Sequence, residues 1–219
     1  MFENDRETFL NKMEDYLRNG KKLTESSIKV YLNRIRKLLD SEYSVNDLCG
    51  TADRLWKDYG VKGQCYDPKD HGNTRAAVKH VASLVREKFL AEFGCPYVSY
   101  EKAWSSFRPK GKHECGYVID NGIITFSYNI GFSKGKDIGK IISATHLRQL
   151  HNIFERARKK GHLASSNSCI STVHGDLHKY AYVFGDACGS NCGCLFEGDS
   201  VYVDQLENEF QDLINKLRA

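Results

Sequence analysis

Apolar residues recur every three or four positions over the first forty residues, which is the pattern of amphipathic helices. In the first stretch they fall at Phe9, Met13, Tyr16 and Leu17. The second stretch follows Thr24, and its apolar members are Ile28, Tyr31, Leu32, Ile35, Leu38 and Leu39. A threonine before such a stripe is a favoured N-cap. The pattern predicts one helix over 5–19 and a second that begins at Thr24.

Two further helical stretches follow, separated by a loop. Val45, Leu48, Leu55 and Trp56 predict a short third helix, and glycines and a proline over 60–72 predict the loop. A fourth helix is predicted to begin at Asn73 or Thr74 and to end before Gly94. Its apolar side is formed by Ala77, Val78, Val81, Leu84, Val85 and Phe89.

After residue 96 the pattern changes to short β-branched and aromatic runs. Asn121-Gly122 lies between two of these runs and is typical of a tight hairpin. The predicted elements are strands at 116–119, 123–132, 180–184 and 200–203 and helices at 143–160 and 204–218. The expected fold class is therefore α+β, with a helical bundle over 1–93 and a small α+β domain with an antiparallel sheet over 94–219.

Charge and cysteine content narrow the function classes. The net charge is +4, but residues 93–187 hold 13 Lys and Arg against 7 Asp and Glu, which permits a phosphate-backbone partner. We find no apolar run long enough to span a membrane and no signal-peptide pattern at the start. We therefore expect a cytoplasmic protein without a membrane partner. In that setting its eight cysteines are interpreted as thiols or metal ligands in preference to disulfides.

The first half resembles the N-terminal core-binding domain of tyrosine recombinases of the phage integrase family, over residues 5–92. The stretch Leu23-Thr24-Glu25-Ser26-Ser27-Ile28-Lys29-Val30-Tyr31 fits the start of that family's second helix, and Asn73-Thr74-Arg75-Ala76-Ala77-Val78-Lys79 is similar to its last helix. The resemblance implies a SAM-like four-helix bundle that grips double-stranded DNA.

The chemistry of these stretches is consistent with DNA binding. Helix starts and short hydroxyl side chains let a phosphate approach backbone N–H groups, and cations neutralise it or read base edges. The candidate DNA-binding residues are Lys21, Lys22, Thr24, Ser26, Ser27, Lys29, Asn73, Thr74, Arg75 and Lys79. The second half is too short for the complete catalytic domain of that family and lacks its first arginine box.

Two tyrosines in the second half suggest an alternative, a DNA endonuclease. Gly116-Tyr117-Val118 and Tyr128-Asn129-Ile130-Gly131 resemble the paired strands of GIY-YIG nucleases, over residues 116–131. That resemblance implies a tyrosine that activates water, a basic residue that holds phosphate and a carboxylate that binds Mg²⁺. The candidate catalytic residues are Tyr117, Tyr128, Lys140, Arg148 and Glu155. Two aromatic strands around Asn-Gly are equally typical of a plain hairpin.

Cysteines and histidines near the end of the chain suggest a zinc site. Thiolates and imidazoles are the usual ligands of tetrahedral Zn²⁺. The candidate ligands are Cys188, Cys192, Cys194, His174 and His178. Because no Cys-x-x-Cys pair occurs, a glycine-rich turn with free or buried thiols is the alternative.

The leading hypothesis from the sequence is thus a DNA-binding protein without a recombinase active site, and a homodimer is possible for such a protein. A metal-dependent endonuclease is the first alternative. A protein-interaction module is the second, because SAM-like bundles also serve that purpose.

Overall fold

The computed structural model describes residues 5–103, 111–130, 133–164, 177–198 and 201–219. The chain divides into two compact units, one formed by 1–92 with 143–145 and the other by 93–142 with 146–219. Helices followed by an antiparallel sheet confirm the α+β class. None of the helices in the described part of the chain is both long enough and apolar enough to cross a bilayer.

The N-terminal unit contains four α-helices. They are α1 (Arg6–Asp15), which continues into a π-helical turn at Tyr16–Gly20, α2 (Glu25–Ser41), α3 (Val45–Asp58) and α4 (Asn73–Phe93). All four contribute to one hydrophobic core, as the fully buried Phe9, Ile35, Leu48 and Val81 illustrate. Apolar burial of this kind is the main stabilising term. The SAM-like assignment within this helical unit stays a prediction.

Hydroxyl side chains cap the starts of α2 and α3, of which the sequence predicted the cap at Thr24. The Thr24 side chain accepts a hydrogen bond from the Ser27 amide at 3.4 Å, and Ser44 does the same for the Asp47 amide at 3.2 Å. These bonds satisfy amides that have no partner within the first turn. The predicted start of α2 is confirmed.

The C-terminal unit is built on a seven-stranded sheet with the order β4-β3-β2-β1-β6-β7, with β5 paired to β3. The strands are β1 (Tyr97–Ala103), β2 (Lys112–Asp120), β3 (Ile123–Ile130), β4 (Ser133–Lys136), β5 (Lys140–Ile141), β6 (Leu177–Phe184) and β7 (Ala187–Cys192). All the pairings are antiparallel. Asn121 and Gly122 have φ values of 47° and 71°, so they form the predicted hairpin turn between β2 and β3.

Two helices of this unit are α5 (Ala144–Lys159) and α6 (Val201–Arg218). Phe154 of α5 contacts Tyr182 and Phe184 of β6 and also Phe210 of α6, at ring-centroid distances of 6.1, 5.6 and 6.3 Å. The aromatic face of the sheet is therefore packed against these helices.

Two predictions for the C-terminal unit are wrong. The strand predicted at 200–203 is the first turn of α6, which begins at Val201; Ser200 lies outside the described residues. The stretch between the strands predicted at 180–184 and 200–203, for which the sequence predicted no strand, contains β7. Burial of Val203, Leu206 and Phe210 along one side explains the helix, because tertiary packing outweighs the local β-propensity of Val201-Tyr202-Val203.

Candidate functional site

Three hydroxyl groups cluster at the start of α2. The Thr24 oxygen lies 3.1 Å from the hydroxyl of Ser26 and 3.0 Å from that of Ser27. Thr24 and Ser26 are exposed and Ser27 is half-buried. Because these side chains are short, a phosphate can approach the first turn of the helix, where the backbone carries a partial positive charge.

Two lysines precede this cluster and differ in their environment. The ammonium group of Lys21 lies 2.9 Å from a carboxylate oxygen of Glu87 and 5.0 Å from the centre of the Tyr16 ring. Lys22 is exposed and has a φ of 52°, in the left-handed region that non-glycine residues seldom occupy. Lys22 makes no ion pair with any described residue, so its charge is available.

Lys29 of α2 and Lys79 of α4 are two further lysines of the predicted DNA-binding set. Both are exposed, and neither forms an ion pair within the described part of the chain. His80 of α4 lies within electrostatic reach of Lys21, just before α2. Burial lowers the pKa of its imidazole, and the charges of Lys21 and Lys79 lower it further. We call the surface formed by Lys21, Lys22, Lys29, Lys79 and the three hydroxyls the α2–α4 face.

The other predicted DNA-binding residues lie at the start of α4, where Asn73 and Thr74 both donate hydrogen bonds to Asp70. The Thr74 amide donates to the Asp70 side chain at 2.6 Å, and the Asn73 amide group donates to the Asp70 carbonyl at 2.8 Å. Arg34 of α2 forms an ion pair with the same carboxylate at 2.7 Å. Asn73 and Thr74 thus begin the helix.

Arg75, the remaining residue of that predicted set, contacts α3. Its guanidinium carbon lies 5.1 Å from the centre of the Trp56 ring. A guanidinium over an indole is a favourable cation–π arrangement. Arg75 is therefore not part of the α2–α4 face.

The structure places the predicted catalytic tyrosines in different environments. Tyr117 is 2% exposed, and its hydroxyl has no hydrogen-bond partner among the described residues. Burial raises the pKa of Tyr117 well above its usual value, which opposes a role as a base. Tyr128 is half-buried, with the Lys112 ammonium 3.9 Å from its ring centre.

Of the other predicted catalytic residues, Lys140 and Glu155 are held by contacts within the C-terminal unit. The Lys140 ammonium donates to the Arg218 carbonyl at 2.7 Å, at the end of α6. Glu155 pairs with Arg158 at 3.1 Å and Lys159 at 3.6 Å, both on its own helix. Arg148 is half-buried on α5. These contacts do not supply an arrangement for nuclease chemistry, and that role stays a prediction.

Sequence reasoning missed a polar cluster around Tyr117. Tyr100 lies beside Tyr117 and Tyr180, with ring centroids 5.2 and 4.8 Å apart, and shares a 2.8 Å hydrogen bond with Nδ1 of His178. Burial raises the pKa of the nearby Glu207 carboxyl. The available signal was the alternation of Tyr100 with polar neighbours along β1, but β1 itself was not predicted.

The predicted zinc ligands that lie in the described ranges are not grouped around one point. Cys192 is disulfide-bonded, and His174 lies outside the described residues. Cys188 and Cys194 are free thiols, and His178 is bonded to Tyr100. In the described ranges no three His, Cys, Asp or Glu side chains are arranged to hold a metal ion. The zinc assignment of these residues stays a prediction.

Comparisons with protein families, with characterised proteins and with solved structures find no match to this chain. The function is therefore argued from the chain's own residues.

Proposed function

We propose that the N-terminal helical unit binds double-stranded DNA through the α2–α4 face. The observation that carries the proposal is that three exposed lysines, Lys22, Lys29 and Lys79, form no ion pair with any described residue. Their charges are available to phosphates, whereas Arg18 and Lys21 are already paired with glutamates. Neutralising phosphates releases counterions, which favours binding at low salt.

The hydroxyl cluster gives this surface a means of orientation. Hydroxyls and helix-start amides position a protein on the sugar-phosphate backbone without reading sequence. Thr24, Ser26 and Ser27 lie beside the lysines in the chain, between Lys22 and Lys29. This arrangement supports contact with the DNA backbone and, by itself, no particular base sequence.

The test is the salt dependence of binding to a fluorescent random-sequence duplex, measured by anisotropy with the full chain. The variant changes Lys22, Lys29 and Lys79 to glutamine. Each lysine that contacts a phosphate contributes about 0.9 to the slope of log K against log salt. The variant is expected to bind more weakly and to lower the magnitude of that slope by about 2 to 3.

A matched control changes Lys12, Lys37 and Lys69 to glutamine. These lysines are equally exposed in the same unit, so the control loses the same net charge elsewhere. Equal weakening in both variants would show a general effect of charge and would contradict the assigned face. Absence of salt-dependent binding in the unmodified protein would contradict DNA binding altogether and favour a protein-interaction module.

A further inference from the structure

A pocket opens in the N-terminal unit between the end of α3 and the loop that leads to α4. Its volume is about 940 Å³, and Tyr43, Trp56 and Arg75 contribute to its walls. Volumes of this order are typical of sites for small molecules. The residues that form it differ from those of the α2–α4 face.

The charge of this pocket is unbalanced. Its lining includes the cations Arg54, Lys57, Lys62 and Arg75 and a single carboxylate, Asp58. None of the four cations forms an ion pair with a described residue. Cations gathered in a concave surface raise the local concentration of anions, and multiply charged anions gain most.

Arg75 is the cation with the most demanding environment. Its Nε atom is buried and has no acceptor among the described residues, while its guanidinium lies over Trp56. A Cβ at Gly60 would lie 3.6 Å from the guanidinium carbon, so the loop backbone at Gly60 lies next to this group. A buried donor without an acceptor costs free energy, and an oxyanion in the pocket would remove that cost.

The loop that forms the outer wall is fixed by backbone hydrogen bonds. The Gly63 amide donates to the Gly60 carbonyl at 2.7 Å, and the Cys65 amide donates to the Asp58 carbonyl at 2.9 Å. A Cβ on Gly63 would overlap the Asp58 carbonyl oxygen, so only glycine fits there. The pocket is thus formed before any ligand arrives, which lowers the entropic cost of binding.

We propose that this pocket binds the phosphate group of a small phosphorylated molecule, with the Arg75 guanidinium as its main ligand. The planar guanidinium matches two phosphate oxygens, and Lys57, Lys62 and Arg54 supply the charge that favours a phosphate over a monocarboxylate. The indole of Trp56 also forms part of the pocket wall.

The test follows the Nε–H signal of Arg75 by ¹H–¹⁵N NMR and the emission of Trp56 during titration. Inorganic phosphate and adenosine monophosphate are the probes, with acetate as the monocarboxylate comparison. The other tryptophan, Trp104, is replaced by phenylalanine so that Trp56 alone reports. Both phosphates are expected to give saturable changes, and acetate is expected to bind about tenfold more weakly.

Variants separate a ligand role from a structural one. Arg75→Gln is expected to weaken phosphate binding about tenfold or more, and Lys62→Gln to weaken it by a smaller factor. Lys69→Gln, an exposed lysine of the same loop outside the pocket, is expected to leave it unchanged. Circular dichroism verifies the fold of each variant, and Lys62→Gln keeps the test decisive if Arg75→Gln unfolds.

Three outcomes would overturn the proposal. One is no saturable response to either phosphate, and another is equal loss in Lys62→Gln and Lys69→Gln. The third is a response to duplex DNA alone, which would assign the pocket to DNA contact instead of a small ligand. The DNA test above uses other lysines, so failure of one proposal leaves the other intact.

Discussion

His80 of α4 packs against Tyr31 of α2, with ring centroids 5.2 Å apart and ring planes tilted by 42°. This contact places an imidazole next to the positive surface assigned to DNA. Burial of the imidazole and the charges of Lys21 and Lys79 all lower the pKa of His80, which favours its neutral form.

His80 predicts two opposite effects of pH. The unfolded chain takes up the proton near the usual pKa of about 6.5, before the folded protein does, so stability falls as pH drops from there to the lowered folded pKa. DNA opposes this, since phosphates favour the charged imidazole. NMR titration should show the His80 pKa rising when duplex DNA is added. A His80 pKa unchanged by saturating DNA would place DNA away from the α2–α4 face.

Lys22 predicts a trade between stability and binding. Replacing it with glycine relieves the cost of its left-handed backbone, and we expect the free energy of unfolding to rise by about 0.5–1 kcal/mol. Lys22→Gln removes the same charge without that relief. Both variants should bind DNA equally weakly in anisotropy titrations, but only Lys22→Gly should be more stable in urea melts. A less stable Lys22→Gly would contradict the backbone argument.

Gly63 and Gly50 form a matched pair in the N-terminal unit. Gly63→Ala places a methyl group against the Asp58 carbonyl and is expected to destabilise the protein by about 1–3 kcal/mol. Gly50 lies within α3 with open space around its Cα, so Gly50→Ala is expected to stabilise by about 0.5–1 kcal/mol. Denaturant midpoints measure both. Equal effects would show that the loop does not pack on the end of α3 as described.

Tyr117 and Tyr182 form a second pair, in the C-terminal unit. The Tyr117 hydroxyl is buried without a described partner, whereas the Tyr182 hydroxyl donates to the Ala164 carbonyl at 2.9 Å. We expect Tyr117→Phe to stabilise by about 1 kcal/mol and Tyr182→Phe to destabilise by a similar amount. Thermal and urea unfolding measure the difference. Destabilisation by Tyr117→Phe would reveal a partner for that hydroxyl and revive its catalytic interpretation.

Local sequence signals predicted those parts of the fold that local chemistry decides. Thr24 caps α2 and Asn121-Gly122 turns the hairpin because both depend on neighbours a few residues away. The start of α6 was missed because the burial of Val203 and Phe210 depends on packing partners elsewhere in the unit. Strand β1 was missed because Tyr97–Ala103 ends in polar and charged residues that resemble a loop.

The candidate site was predictable to a similar extent. The exposure of Lys29 follows from its position off the apolar stripe of α2. The contact of Arg75 with Trp56 does not, because it depends on how the loop after α3 returns to α4. The burial of Tyr117 likewise depends on the register of β2 against β3, which pairs it with the buried Phe126.

The carboxylate of Asp70 contacts two helices, since one oxygen accepts a hydrogen bond from the Thr74 amide of α4 and the other forms an ion pair with the Arg34 guanidinium of α2. Opening of the first turn of α4 therefore breaks a hydrogen bond to a residue that is also tied to α2 through Arg34. Amide hydrogen exchange at the beginning of α4 would consequently follow the cooperative opening of the helical unit instead of simple fraying. Arg75 directly follows Thr74 in the chain, so the contacts of Asp70 also help to fix the position of Arg75.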